Sequence, residues 1–208
     1  GQGSAEPPCM IVMRWSPPKA RKGQVLGLVG KAVTFDTGGI SIKPAASMED
    51  MKMDMCGGAA VIEGIAAIAQ LGLPIETLAV VPAAENMPDG RAIKPGDVVT
   101  AMNGKTVEVV NTDAEGRLIL ADGLTYAARN GATHIVELST LTGAIVVALG
   151  EVYAGLFGSH DDWRDRVRAA GEASGDLAWP MPLHEGYRPL IVSGTADLSN
   201  AAKKRQAG

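Results

Sequence analysis

Short apolar runs, separated by glycine, proline and polar clusters, set the rhythm of this chain. Residues 10–13 form an apolar run inside the proline-rich stretch 1–23 and predict a strand leading into the main domain. Residues 25–30 read as a buried strand, and residues 33–35 as a further strand that feeds the Gly38-Gly39 turn. Ser47 with Asp50 three positions later resembles a capping box and predicts a helical turn. Gly57 and Gly58 then open a helix over residues 59–71, closed by Gly72, whose small residues allow close packing on a sheet. Residues 77–82 predict another strand, followed by a loop over 85–95 that contains two prolines.

The second half follows the same alternation. Residues 98–100 and 107–110 flank Asn103-Gly104, a strong hairpin signal. An amphipathic helix over 118–129 ends at Asn130-Gly131. Residues 134–138 predict a buried strand, and residues 145–149 form one more apolar segment. Ser159 with Asp162 predicts the cap of a surface helix that runs to about Ser174. Strands alternating with helices define an α/β fold, a central sheet covered by helices on both faces. The hairpin adds antiparallel strands, which makes the expected sheet mixed but mostly parallel. Residues 1–23 are expected as a linker, and residues 24–208 as the domain itself.

Composition narrows the function. The 208 residues are 46% hydrophobic with 26 glycines, ordinary for an α/β protein that buries a substantial core. A net charge of -4 and a pI near 5.4 argue against nucleic-acid or membrane-surface binding. The one basic cluster, Lys203-Lys204-Arg205, reads as a solvated loop. Two cysteines, Cys9 and Cys56, make no disulfide framework and point to a reducing, cytoplasmic setting. No apolar run reaches the roughly 18 residues of a membrane span, and the first eight residues lack the order of a signal peptide.

The chemistry gathers in two stretches. One is Lys31 through Asp36 to Lys43, followed by Met51 and Asp54; the other runs from Asn111 through Asp113, Glu115 and Arg117 to Leu118. Taken singly, Asp36, Asp54, Asp113 and Glu115 each read as a solvated loop acid or a helix cap. Each, however, follows a strand or opens a helix, where sites lie in open α/β sheets. Four carboxylates converging in a cleft need compensation, and two divalent cations would supply it. Oxygen ligands without a His or Cys cluster permit Zn, Mn, Mg or Co. A phosphate-binding P-loop is excluded, because Val25 and Ala32 stand where Gly and Ser or Thr are required. His134, His160 and His184 show no ligand spacing, and no nucleophile elbow is present.

Together the segments around Lys31–Lys43, Asp54 and Asn111–Leu118 resemble the signatures of the leucyl aminopeptidases, also called cytosol aminopeptidases. The octapeptide from Asn111 to Leu118 is specific to that family, and the resemblance runs from about residue 25 to residue 200. It implies a three-layer fold like that of the zinc exopeptidases and a two-metal enzyme that releases N-terminal residues, leucine among them, from peptides. It implies that Lys31, Asp36, Asp54 and Glu115 hold one metal and Asp36, Asp113 and Glu115 the other, with Zn or Mn expected ahead of Mg or Co. A cation beside a lysine favours its neutral, ligating form. The resemblance assigns Lys43 to polarising the substrate carbonyl, and Arg117 to holding a bicarbonate ion that acts as general base. It places Met51 at the pocket for the N-terminal side chain, and Thr140, Leu141 and Gly143 where backbone holds substrate. Asn111 is expected to shape the loop at that pocket. Ala32 departs from the family's usual glycine without removing a ligand.

Family members assemble as homo-hexamers when full length and carry a separate N-terminal domain. Their chains continue past the segment matching residues 200–208 into a helix and a strand, so the resemblance implies a catalytic domain incomplete at its C-terminal end. A second role, binding or architectural and exerted on DNA, is known within such a fold. The absence of a basic face argues against it here.

Overall fold

In the computed structural model, which describes residues 1–202, the elements in chain order are β1 (Cys9–Trp15), β2 (Val25–Gly30), β3 (Ala32–Asp36), a 3₁₀ turn (Met48–Met53), α1 (Cys56–Gln70), β4 (Glu76–Asn86), β5 (Asp97–Thr100), β6 (Thr106–Val109), α2 (Gly116–Arg129), β7 (His134–Leu138), α3 (Ala144–Leu149), β8 (Ala154–Leu156), α4 (Asp161–Ser174), β9 (Ala178–Pro180), a second 3₁₀ turn (Glu185–Ile191) and β10 (Leu198–Ser199). The basic cluster Lys203-Lys204-Arg205 lies outside the described residues. The chain divides into two units, one of Gly1–Leu141 with Ser193–Ala201 and one that contains Thr142–Val192.

The first unit is built on a five-stranded sheet. Its path runs β1-β4-β2-β7, with β3 also paired to β4. Strands β2, β3 and β7 run parallel to their neighbours, and β1 pairs with β4 antiparallel. The sheet is therefore mixed and mostly parallel, as expected, but for another reason than the hairpin. The β5–β6 hairpin forms instead a separate three-stranded sheet with β10. A turn signal such as Asn103-Gly104 reports that two strands pair, and carries no information about which sheet they join.

Period-two alternation decides which face each strand residue covers. Leu78 and Val80 of β4, with Val25 and Val29 of β2, pack against Leu120 and Ala127 of α2. Ala79 and Val81 of β4 point the other way, with Ala32 of β3, against Val61 and Ile65 of α1. One helix on each face makes the three layers. Helix α1 starts at Cys56, earlier than its apolar pattern alone suggests, and its two glycines allow close approach. A Cβ on Gly58 would lie 2.7 Å from the Ala32 Cβ, and one on Gly57 would lie 2.1 Å from the Leu138 carbonyl oxygen.

Two predicted caps are absent. Ser47 precedes the first 3₁₀ turn with φ 59°, in the left-handed region, and its side chain caps nothing. The N-cap of α4 is His160 rather than Ser159, whose hydroxyl lies 3.0 Å from the His160 Nδ1 instead. A capping box needs an extended N-cap backbone as well as the right residues, and neither serine supplies both. The apolar segment 145–149 is the short helix α3.

In the second unit β8 and β9 pair in parallel. Ile145 of α3 packs so closely on Gly155 that a Cβ there would lie 2.4 Å from the Ile145 Cδ1. Arg164 of α4 pairs with Asp161 at 2.7 Å and Asp165 at 3.1 Å, both solvent-exposed acids. Among the described residues no helix is long and apolar enough to cross a membrane. Cys9 and Cys56 are both free and exposed.

Candidate metal centre

Lys31 and Asp36 lie at the C-terminal ends of the parallel strands β2 and β3. Strands β2 and β3 both pair with β4, and Lys31 is the residue between them. Its backbone is pinned at this break: its N–H donates to the Leu138 carbonyl at 3.0 Å, and its carbonyl accepts from the Gly58 N–H at 2.7 Å. Asp36 ends β3, Asp54 precedes α1, and Asp113 and Glu115 precede α2. Lys31, Asp36 and Asp54 are 3%, 2% and 5% exposed, a degree of burial that charged groups tolerate only when paired.

The pairing is specific. The Lys31 Nζ lies 2.8 Å from the Asp54 Oδ1 and 2.8 Å from the Glu115 Oε1, and donates to the Thr140 carbonyl at 3.0 Å. The Lys43 Nζ contacts the Asp36 Oδ2 at 2.9 Å and forms a close ion pair with Asp113. One carboxylate oxygen each from Asp36, Asp54 and Glu115 lies within 4.8 Å of the others. Four carboxylates thus share two ammonium groups, and the Asp54 Oδ2 is buried with no hydrogen-bond partner.

Electrostatics follow from burial. Desolvation raises the carboxyl pKa of Asp54, with the Asp36 charge adding to it, while Lys31 and Thr140 oppose the rise. Glu115 is raised for the same reason, desolvation first and Asp36 after it, against the pull of Lys31. For Lys43, burial works against the charge, but hydrogen bonds and charge from Asp113 and Asp36 outweigh it and hold the ammonium up to about 12. Arg117, on the first turn of α2, is lowered by burial while Glu115 opposes the shift. It forms no ion pair among the described residues, and its Nε is buried without an acceptor.

Three side chains that the sequence patterns do not single out hold this arrangement together. Asn86, the last residue of β4, donates through Nδ2 to the Asp36 Oδ1 at 2.8 Å and to the Thr112 carbonyl at 3.0 Å. Thr112 accepts through its hydroxyl from the Ser41 N–H and donates to the Gly38 carbonyl, tying the two ligand loops together. Asn200, 2% exposed, accepts from the N–H groups of Val110 and Asn111 and donates to the carbonyls of Asn111 and Ala114. Asn86 carried one usable signal, a polar residue ending an apolar strand at the edge where sites form. Asn200 carried none, since its partners lie 86 or more positions away.

The remaining candidates are placed as follows. Asn111 accepts through Oδ1 from the Asp113 N–H at 2.9 Å, a local turn that presents Asp113. Met51 sits half-buried on the 3₁₀ turn, and its carbonyl accepts from the Asp54 N–H. Thr140 and Leu141 follow β7 in the first unit, whereas Gly143 belongs to the second. A Cβ on Gly116 would lie 2.8 Å from the Lys31 Cε and 3.0 Å from the Leu141 Cδ1, so glycine leaves the space that the lysine fills.

A sheet edge that gathers four carboxylates and two lysines, with Lys31, Asp36 and Asp54 buried and the others half-buried, has the donor chemistry of an acidic metal site in an α/β protein. Residues 1–208 match the cytosol aminopeptidase family, catalytic domain, and the chain belongs to that family. It is 61% identical over 198 residues to a probable cytosol aminopeptidase of Solibacter usitatus, and 55% identical over 199 residues to one of Koribacter versatilis. These alignments cover 95% and 96% of this chain but 41% and 39% of the relatives. The chain thus spans about two-fifths of their length. Among solved structures, the bottromycin maturation enzyme BotP in complex with Mn superposes with a TM-score of 0.92 at 42% identity, over 99% of this chain and 45% of that one.

Proposed function

We propose that this chain is the metal-binding core of an aminopeptidase that hydrolyses the first bond of a peptide with two divalent ions. The observation that carries the reading is the surplus of carboxylate over ammonium, four to two, around the buried Asp36 and Asp54. The donor set fits such ions: one oxygen each of Asp36, Asp54 and Glu115 lies within 4.8 Å of the others, and the Asp54 Oδ2 has no donor among the described residues. Lys31, Asp36, Asp54 and Glu115 would hold one ion, and Asp36, Asp113 and Glu115 the other. When bound, the ions would supply Lewis-acid polarisation and a water acidic enough to act near neutral pH.

The chain's own residues do the remaining work. Lys43, held charged by Asp36 and Asp113, is a cation within the site that can face a developing oxyanion. Arg117 presents a guanidinium with no ion-pair partner among the described residues at the start of a helix, a setting suited to a small anion such as bicarbonate. Met51, Asn111, Thr140, Leu141 and Gly143 are proposed to meet the peptide. Mn is a candidate ion alongside Zn because BotP, 42% identical, is described in complex with Mn. The whole protein is proposed to work as a homo-hexamer in the cytoplasm, with leucine-type substrates.

The test is metal content and peptidase activity measured together on the whole protein. Two ions per chain and release of N-terminal residues that stops with chelator are expected, and Glu115→Ala should deplete both ions. Two ions retained in Glu115→Ala at unchanged affinity would overturn the ligand assignment.

A further inference from the structure

Thr140 touches two of the proposed ligands with two different groups. Its carbonyl accepts from the Lys31 Nζ at 3.0 Å, and its hydroxyl donates to the Asp54 Oδ1 at 2.7 Å. Lys31 and Asp54 are themselves only 2.8 Å apart. The three groups close a triangle on the side of the site formed by β2 and β7.

The backbone that carries Thr140 is fixed. The Leu138 carbonyl, two residues earlier, accepts from the Lys31 N–H, and Gly57 approaches Leu138 and Ser139 so closely that a Cβ would lie 2.1 Å from that carbonyl oxygen. Threonine adds stiffness of its own, because β-branching restricts its side-chain torsion. The hydroxyl is therefore a donor with little freedom to turn away.

Asp54 has two oxygens with opposite fates. Oδ1 takes the Thr140 hydroxyl and the Lys31 ammonium, whereas Oδ2 is buried with no partner. A carboxylate tied at one oxygen presents the other in a fixed direction, as outer-shell hydrogen bonds do for metal ligands in general. The Thr140 carbonyl does the same for Lys31. An amine that gives its lone pair to a cation keeps two N–H groups, and a carbonyl acceptor holds one of them and so orients the lone pair.

We infer that Thr140 is a positioning residue for one of the two metal sites, the one that Lys31 and Asp54 share, and acts through its side-chain hydroxyl as well as its backbone. This rests on the dinuclear reading above and goes beyond a backbone role toward substrate. Asp36, Asp113 and Glu115 make no hydrogen bond to Thr140 among those described, so its direct contacts fall on the two ligands that belong to this site alone.

The experiment is a titration of the metal-depleted whole protein with Mn²⁺ alone, followed by calorimetry. Asp54→Ala and Asp113→Ala identify which binding step belongs to which site. Thr140→Val keeps the shape and the carbonyl and removes the donor. It should weaken the step lost in Asp54→Ala by roughly 10–100-fold and leave the step lost in Asp113→Ala within about twofold. Thr140→Ser restores the donor and should bind near wild-type strength; it serves as the reference if the valine variant folds poorly, with Thr140→Ala as the second donor-free variant. Unchanged Mn²⁺ affinity in both donor-free variants, equal weakening of both steps, or equal loss in Thr140→Ser would overturn the inference. Failure of the wild-type protein to take up two ions is a different outcome, and defeats the dinuclear reading together with this inference.

Discussion

Lys43 is the residue on which binding and turnover separate most cleanly. Its ammonium pairs with Asp36 and Asp113, and those acids raise its pKa to about 12 despite partial burial. It therefore stays charged across the neutral range. A positive charge opposes cation binding, so Lys43→Ala should retain both ions. If its role is to stabilise an oxyanion, kcat should fall roughly 10²–10³-fold. Metal analysis and kcat on the same sample check this; metal loss, or an unchanged kcat, would count against the role. The carboxylates and lysines of this site were legible in the sequence because they sit in two short motifs. Asn86, Thr112, Asn200 and the Thr140 hydroxyl were not, because their contacts reach across 26 to 90 positions and leave no local period. Gly116 shows the same limit: only the fold identifies Lys31 as what fills the space beside it.

At the scale of the element, β10 shows how a two-residue strand can matter. It pairs in parallel with β6 and delivers Asn200 to the loop that carries Asp113 and Glu115. Its anchor at the other end is Asp197, whose Oδ2 accepts from the Thr106 N–H and hydroxyl, both at 2.8 Å. Those hydrogen bonds lower the Asp197 pKa below the usual 3.8. A lowered folded-state value means that the contact stabilises the fold above the unfolded-state pKa and is lost as pH falls through the folded one. Protection of the Thr106 amide, its exchange measured against the intrinsic rate, should therefore fall once pH drops below about 3.8, and Asp197→Asn should remove that acid-dependent step. An Asp197→Asn variant with the same acid profile as wild type would refute the assignment. No sequence pattern announces such a strand, since two residues carry neither alternation nor a turn signal. The long strands and both sheet-covering helices were legible because their apolar positions repeat, although β4 runs to Asn86, past the proline that seemed to end it.

At the scale of the first unit, metal loading should add stability to a fold that already stands. Two layers of core, Leu78 and Val80 on one face of the sheet and Ala79 and Val81 on the other, owe nothing to the ions. A ligand that binds only the folded state stabilises it by roughly 4 kcal/mol at a thousand times its Kd. Chelation should therefore lower Tm by several degrees while leaving far-UV circular dichroism and a cooperative melt in place. Collapse of the secondary structure on chelation would contradict this.

Lys31 and Lys43 explain why such a fold can wait. Each ammonium bridges two carboxylates that would otherwise repel each other at close range. On the reading proposed above, the polypeptide thus carries its own counter-ions before any metal arrives. On the dinuclear reading, loading would be an exchange at Lys31, whose proton would leave as an ion enters, while Lys43 keeps its charge. Metal choice would then fall after folding rather than during it.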